Sequence, residues 1–149
     1  MRVSTATELP ARPEEVWDVV MDPARLGDWV TIHRGLDRGG RGTLEKGSSF
    51  RQTLQLAGRP FDVTWTVADE RRPRAAVWEG KGPVGSSACV RYALDPVPGG
   101  GTRFTYENSF ELPGGILGRL AGRVVGRPAV KRELERSLGN LRRLLQRRA

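Results

Sequence analysis

The chain has 149 residues, 38% of them hydrophobic and 28% charged, the size and mix of one soluble domain (1–149) with a single core. One cysteine, Cys89, cannot form an internal disulfide, and with one histidine, His33, it cannot supply a Cys/His zinc site; neither metal nor other cofactor is expected. A net charge of +8 invites a nucleic-acid reading, yet residues 1–115 balance 15 basic against 15 acidic groups while residues 116–149 carry 10 basic and 2 acidic, so the excess belongs to one terminal element.

The N-terminus alternates from Met1 to Thr7 instead of presenting an apolar run of about 7–15 residues, so no signal peptide is expected and the cytoplasm is the default location. Val3, Thr5, Thr7 and Leu9 share one face of an opening strand that Pro10 ends. Pro13, Glu14 and Glu15 suit the first turn of a short helix over about 13–21. Asp22-Pro23 repeats the start signal for a second short helix, which Gly27 is expected to stop.

From about residue 32 the period becomes two and stays so for some 80 residues. Phe50, Gln52, Leu54 and Leu56 alternate with Arg51, Thr53 and Gln55; Phe61, Val63, Trp65 and Val67 follow, then Ala76, Trp78 and Gly80. Gly82–Val90 is the longest stretch without a charged residue, nine positions against the roughly 20 a membrane-spanning helix needs. Ala88, Val90, Tyr92 and Leu94 form the next apolar face, and after the Asp95–Gly101 loop Phe104, Tyr106, Asn108 and Phe110 form the last. Links of a few residues make the strands antiparallel, because a parallel pair needs a crossover of about a dozen residues or more. Past Leu112-Pro113-Gly114-Gly115 the pattern turns helical. Leu117, Leu120, Val124, Leu134, Leu138, Leu141 and Leu145 make an apolar stripe that Pro128 divides into pieces of about 116–126 and 128–147.

Asp22-Pro23-x-x-Leu26-x-x-Trp29 behind the Pro13–Trp17 helix, Gly100-Gly101-Thr102-Arg103-Phe104-Thr105 before the last strand, and Leu134-x-x-x-Leu138-x-x-Leu141 in the closing helix resemble the signatures of the polyketide cyclase/dehydratase and START-like lipid-transport superfamily. The resemblance runs over essentially the whole chain. It implies an α+β helix-grip fold: a bent seven-stranded antiparallel sheet around a long C-terminal helix, with two short helices after the first strand. It also implies an apolar cavity between sheet and helix that takes a hydrophobic small molecule.

If that cavity exists, strand parity lines it with Gln52, Leu54, Val63, Trp65, Trp78, Val90, Tyr92, Phe104, Tyr106, Asn108 and Phe110. Gln52, Tyr92, Tyr106 and Asn108 interrupt an otherwise apolar face, as orienting groups in a ligand pocket do, or else are core residues satisfied by backbone or water. Glu79, Glu107, Glu111 and Cys89 point the other way by parity, which counts against an enzyme and leaves catalytic residues unassigned. A cyclase working by shape and by carbonyl polarisation still fits the same cavity. His33 falls near the expected cavity mouth, where a surface or capping role is the simpler reading.

In the last helix Gly118, Gly122 and Gly126 run beside Arg119, Arg123, Arg127 and Lys131. The glycines mark a close approach or a loose end. The arginines mark a solvated face or a contact with an anionic membrane surface or acidic partner protein; Arg142, Arg143, Arg147 and Arg148 flank Leu144 and Leu145 as a basic amphipathic end, peripheral to a membrane on this reading. Nucleic acid is disfavoured, since the aromatics face inward and no RNA-binding signature is present. The abundance of arginine over lysine, 22 to 3, fits a GC-rich bacterial genome more simply than selection for guanidinium chemistry.

Overall fold

A computed structural model describes residues 1–37, 42–56, 58–111 and 126–147 of the chain. Seven strands form one curled antiparallel sheet: β1 (Arg2–Leu9), β2 (His33–Asp37), β3 (Ser49–Leu56), β4 (Arg59–Arg71), β5 (Ala75–Lys81), β6 (Ser87–Pro96) and β7 (Thr102–Glu111). Their order is β1-β7-β6-β5-β4-β3-β2, a meander from β2 to β7 with the first strand added beyond the last. The helix-grip architecture expected from the element order is the one observed. Along β4 the register shifts between Val67 and Asp69, and along β2 between His33 and Gly35; such bulges bend a strand and raise its twist.

The first helix, α1 (Pro13–Val20), starts on Pro13 with Glu14 and Glu15 in its first turn and buries Val16, Trp17, Val19 and Val20. Asp22 then caps a 3-10 turn, its Oδ1 accepting from the Ala24 N–H at 3.0 Å. Pro23–Arg25 runs directly into α2 (Leu26–Trp29), so Gly27 lies inside the second helix and does not stop it. A Cβ there would sit 3.4 Å from the His33 ring, an ordinary contact, so space does not demand the glycine.

The long C-terminal helix, α3 (Arg127–Gln146), follows extended Gly126 and holds Pro128 in its first turn. Pro128 therefore starts this helix and does not kink it, the missing N–H being one that no helical carbonyl would have met. The piece expected over 116–126, with Leu117, Leu120, Val124, Gly118, Gly122, Arg119 and Arg123, lies outside the described residues except for Gly126, as does Arg148. Val130, Leu134, Leu138, Leu141 and Leu145 form the buried stripe of α3, which packs on β1 and α2.

Two close approaches fix the sheet. A Cβ on Gly101 would come 2.8 Å from the Leu9 carbonyl oxygen, and beside it the Thr102 hydroxyl donates to the Ala11 carbonyl at 2.7 Å, locking the start of β7 against the end of β1. Gly80 faces Trp65 directly across β4 and β5, and a Cβ there would lie 2.7–2.8 Å from Val63 and the Trp65 ring. Only a residue without a side chain lets that indole lie over β5.

Candidate functional site

Alternation on β3 to β7 turns one row of side chains into the concave face. Gln52, Leu54, Val63, Trp65, Trp78, Val90, Tyr92, Phe104, Tyr106 and Asn108 are buried there and Phe110 is half-buried. All of them except Val63 and Phe104 border one small cavity, which Leu26, Val30 and Ile32 close from the α2 side. Val63 lies beneath Gly80 instead, and Phe104 packs among Tyr92, Tyr106 and Trp29 with ring centroids 5.3–6.3 Å apart.

The cavity is about 30 Å³. That is room for about one or two waters, where ligand pockets run to about 300–1,000 Å³. Aromatic rings fill the rest of the interior: Trp78 meets Phe50, Trp65 and Tyr92 edge-on at 5.2–6.0 Å.

A polar chain runs from this interior toward the surface. The Trp65 indole N–H donates to Gln52 Oε1 at 2.9 Å, and Gln52 Nε2 lies 2.9 Å from His33 Nδ1. With Oε1 taken by the indole, the amide presents NH₂ to the histidine, so Nδ1 accepts and the ring proton sits on Nε2. Burial, and then the charge of neighbouring Arg34, lower the His33 pKa from 6.5, which keeps the ring neutral at pH 7. His33 is thus a half-buried member of the polar chain, a link that residue spacing could not reveal.

Tyr92 and Tyr106 lie on the concave face opposite one another on β6 and β7. Burial pushes the Tyr92 hydroxyl well above its usual 10, reinforced by Tyr106. Burial also takes Tyr106 up to about 12, offset in part by Asn108. Both are neutral hydrogen-bond donors near pH 7.

Two buried indole nitrogens, Trp29 Nε1 and Trp78 Nε1, have no hydrogen-bond partner among the described residues. Glu107 lies on the opposite face between Arg2 and Arg91, at 3.8 and 3.6 Å. Glu79 and Glu111 are exposed, and Cys89 is a half-buried free thiol on that same outer side. Among the described residues no three His, Cys, Asp or Glu side chains gather as a metal site requires. The concave face can therefore orient an apolar molecule and donate hydrogen bonds to it, and among the described residues that line its cavity there is no carboxylate or thiol.

Leu26, Val30 and Ile32 escaped the sequence reading because they lie in α2 and the irregular segment behind it, where no period assigns a face. The apolar–polar–apolar order Val30-Thr31-Ile32 was the available signal. Thr31 faces away from the cavity residues to tie this segment to α3: its N–H donates to Ser137 Oγ at 3.0 Å and its hydroxyl to Glu133 Oε2 at 2.6 Å. Asn140 Nδ2 donates to the Trp29 carbonyl one turn further on, at 3.2 Å.

Outside, Arg127, Arg142 and Arg143 are exposed on α3 and Arg147 is exposed just past its end. The expectation of an amphipathic end open to a membrane needs correction at Leu145, which is buried in the core, and at Leu144, which is half-buried against it. The apolar side of that end faces the protein. A wider depression of about 840 Å³ runs along the outer side of α3 past Lys131, Arg132, Arg136 and Arg143, but its walls are charged and solvent-facing, so the inner cavity is the candidate site. No helix among the described residues is long and apolar enough to cross a membrane.

Known proteins resemble this chain in sequence or in shape. The chain is 29% identical over 136 residues to the uncharacterized protein Rv1546 of Mycobacterium tuberculosis, covering 91% of this chain and 92% of that one. It is 29% identical over 81 residues to the toxin Rv0910 of the same organism, covering 54% of this chain and 56% of the toxin. The crystal structure of protein CV1439 from Chromobacterium violaceum superposes with a TM-score of 0.75 at 12% identity, over 97% of this chain and 96% of that one. Residues 1–146 match the family model described as polyketide cyclase / dehydrase and lipid transport. By that match, over nearly its whole length, the chain belongs to the polyketide cyclase / dehydrase and lipid transport family, whose fold suits the binding of hydrophobic ligands.

Proposed function

We propose that the chain binds an apolar small molecule, such as a lipid, isoprenoid or polyketide-like compound, between its sheet and α3, for transport, sequestration or sensing. The observation that supports this most is the convergence of Gln52, Tyr92, Tyr106 and Asn108, all buried, on one small cavity in an otherwise apolar concave face. At about 30 Å³ the cavity admits such a molecule only if lining side chains move apart. Native mass spectrometry with solvent extraction tests the reading on protein purified without denaturants. A stoichiometric apolar adduct is expected. A bare chain that also fails to take up the uncharged apolar dye N-phenyl-1-naphthylamine would overturn it.

A second reading is an enzyme, a cyclase or dehydratase acting on a polyketide-like chain in the same cavity. Tyr92 and Tyr106 favour it, because neutral buried hydroxyls can polarise a carbonyl. The two readings part at Tyr106→Phe, which in an enzyme lowers turnover with uptake intact and in a carrier alters affinity alone. The exposed arginines of α3 leave room for contact with an anionic membrane or acidic protein, a contact that would weaken steeply with salt. The half-length match to a toxin makes growth arrest on overexpression a useful phenotype in which to compare the cavity variants.

A further inference from the structure

We propose that the molecule taken into this cavity carries a hydrogen-bond-accepting oxygen, a carbonyl or ether, which the Trp78 indole N–H binds. The inference deepens the ligand-binding reading and rests on it. Trp78 lies on the central strand β5, is 2% exposed and borders the cavity, yet its Nε1 has no partner among the described residues. Buried N–H donors are paired in the great majority of cases, and an acceptor on a molecule in the adjoining cavity would supply the partner this one lacks.

The neighbouring tryptophan supplies the contrast. Trp65, with its ring centroid 6.0 Å from that of Trp78, has its indole N–H satisfied by the Gln52 side-chain oxygen at 2.9 Å. Trp29 is the other orphan, but it does not border the cavity, and the rings of Tyr92, Phe104 and Tyr106 surround it at 5.4–6.3 Å. The remaining polar groups on the cavity wall favour the same ligand chemistry. The Tyr92 and Tyr106 hydroxyls and the Asn108 amide can donate as well as accept, so an oxygen bound at Trp78 can find a second donor on the same wall. An acceptor removes the penalty of the unpaired indole, and a hydrocarbon of equal shape leaves it standing.

The test uses two isosteric probes, 2-acetylnaphthalene and 2-isopropenylnaphthalene, which differ in a carbonyl oxygen against a methylene carbon. Dissociation constants of both are measured by calorimetry on the wild-type chain and on Trp78→Phe, which keeps an aromatic ring and removes the N–H. Comparing the ketone-to-hydrocarbon ratio between the two proteins cancels the difference in water solubility and any effect of the smaller ring common to both probes. The ratio should move about five- to tenfold against the ketone in the variant. An unchanged ratio overturns the proposal and leaves the ligand-binding reading standing, the indole then resting on water or on the face of a ring. Failure of the wild type to bind either probe removes the reading and the proposal together. Should Trp78→Phe not fold, the wild-type indole ¹⁵N–¹H spectrum decides: the Trp78 signal, assigned through its contacts with Tyr92, should move downfield with the ketone and stay with the hydrocarbon, and equal shifts with both would sink the idea.

Discussion

The interior has two halves that differ in how their polar groups are treated. Where α1 packs on β6, Val16, Val19, Val20 and Met21 are fully enclosed, Trp17 nearly so, and the buried Thr102 hydroxyl is bonded to the Ala11 carbonyl. Where α2 and the segment behind it cover β3 to β7, the wall mixes Gln52, Tyr92, Tyr106 and Asn108 with apolar rings, leaves a small void and strands the Trp78 N–H. A domain of this size draws its stability from close packing, and the α1 half supplies it. The α2 half departs from the same rules in one region, which is where function is to be looked for.

The sharpest way to break this contrast is Trp17→Ala. Emptying the closed half should cost about 3–5 kcal/mol and lower the melting temperature by roughly 6–20 °C, with the probe selectivity of the cavity unchanged in the protein that remains folded. A loss below about 1 kcal/mol in thermal unfolding followed by circular dichroism would show that the α1 half is not the rigid one.

Gln52→Leu acts in the other half and should cost less, about 1–3 kcal/mol, because it leaves the Trp65 indole without its acceptor and His33 without its donor. Urea denaturation measures it; a neutral result would mean that the polar chain contributes nothing to the fold.

The smallest expected effect is on pH. His33 titrates lower in the fold than in the unfolded chain, where its value is 6.5, so the unfolded chain binds more protons between the two values and stability rises with pH there. The contribution is fully present above about 6.5 and is lost as pH falls through the folded value. His33→Gln should flatten the acid side of the melting-temperature profile between pH 7 and pH 5. An equally steep profile in the variant would assign the slope to other groups.

Much of this contrast could be read in advance. Strict alternation in 50–56, 61–67 and 88–94 told which side chains share a face, since a strand has only two, and the leucine spacing of 134–145 told which side of α3 is buried. What could not be read depends on register between distant segments. Gly27 reads as a stop because glycine is a poor helix former, but the helix runs through it from Leu26 to Trp29. Pro128 reads as a break only while the helix is assumed to have begun earlier. The amide of Gln52 gains its meaning from Trp65 on one side and His33 on the other, and the size of the void is set by ring packing, which parity does not encode.

The strand order carries a consequence for synthesis. β1 pairs with β7 alone, Arg2 opposite Ser109 and Leu9 opposite Thr102, whereas every other strand pairs with a neighbour in sequence. On the ribosome the first strand must therefore wait for roughly a hundred residues, about 5–20 s at ordinary elongation rates, before its partner exists. Throughout that interval Val3 and Leu9 lack the strand they pair with, while β3 to β6 can already zip together hairpin by hairpin. The pairing of longest range in the sheet is the last that can form, and the Gly101–Thr102 contact with Leu9 and Ala11 forms with it.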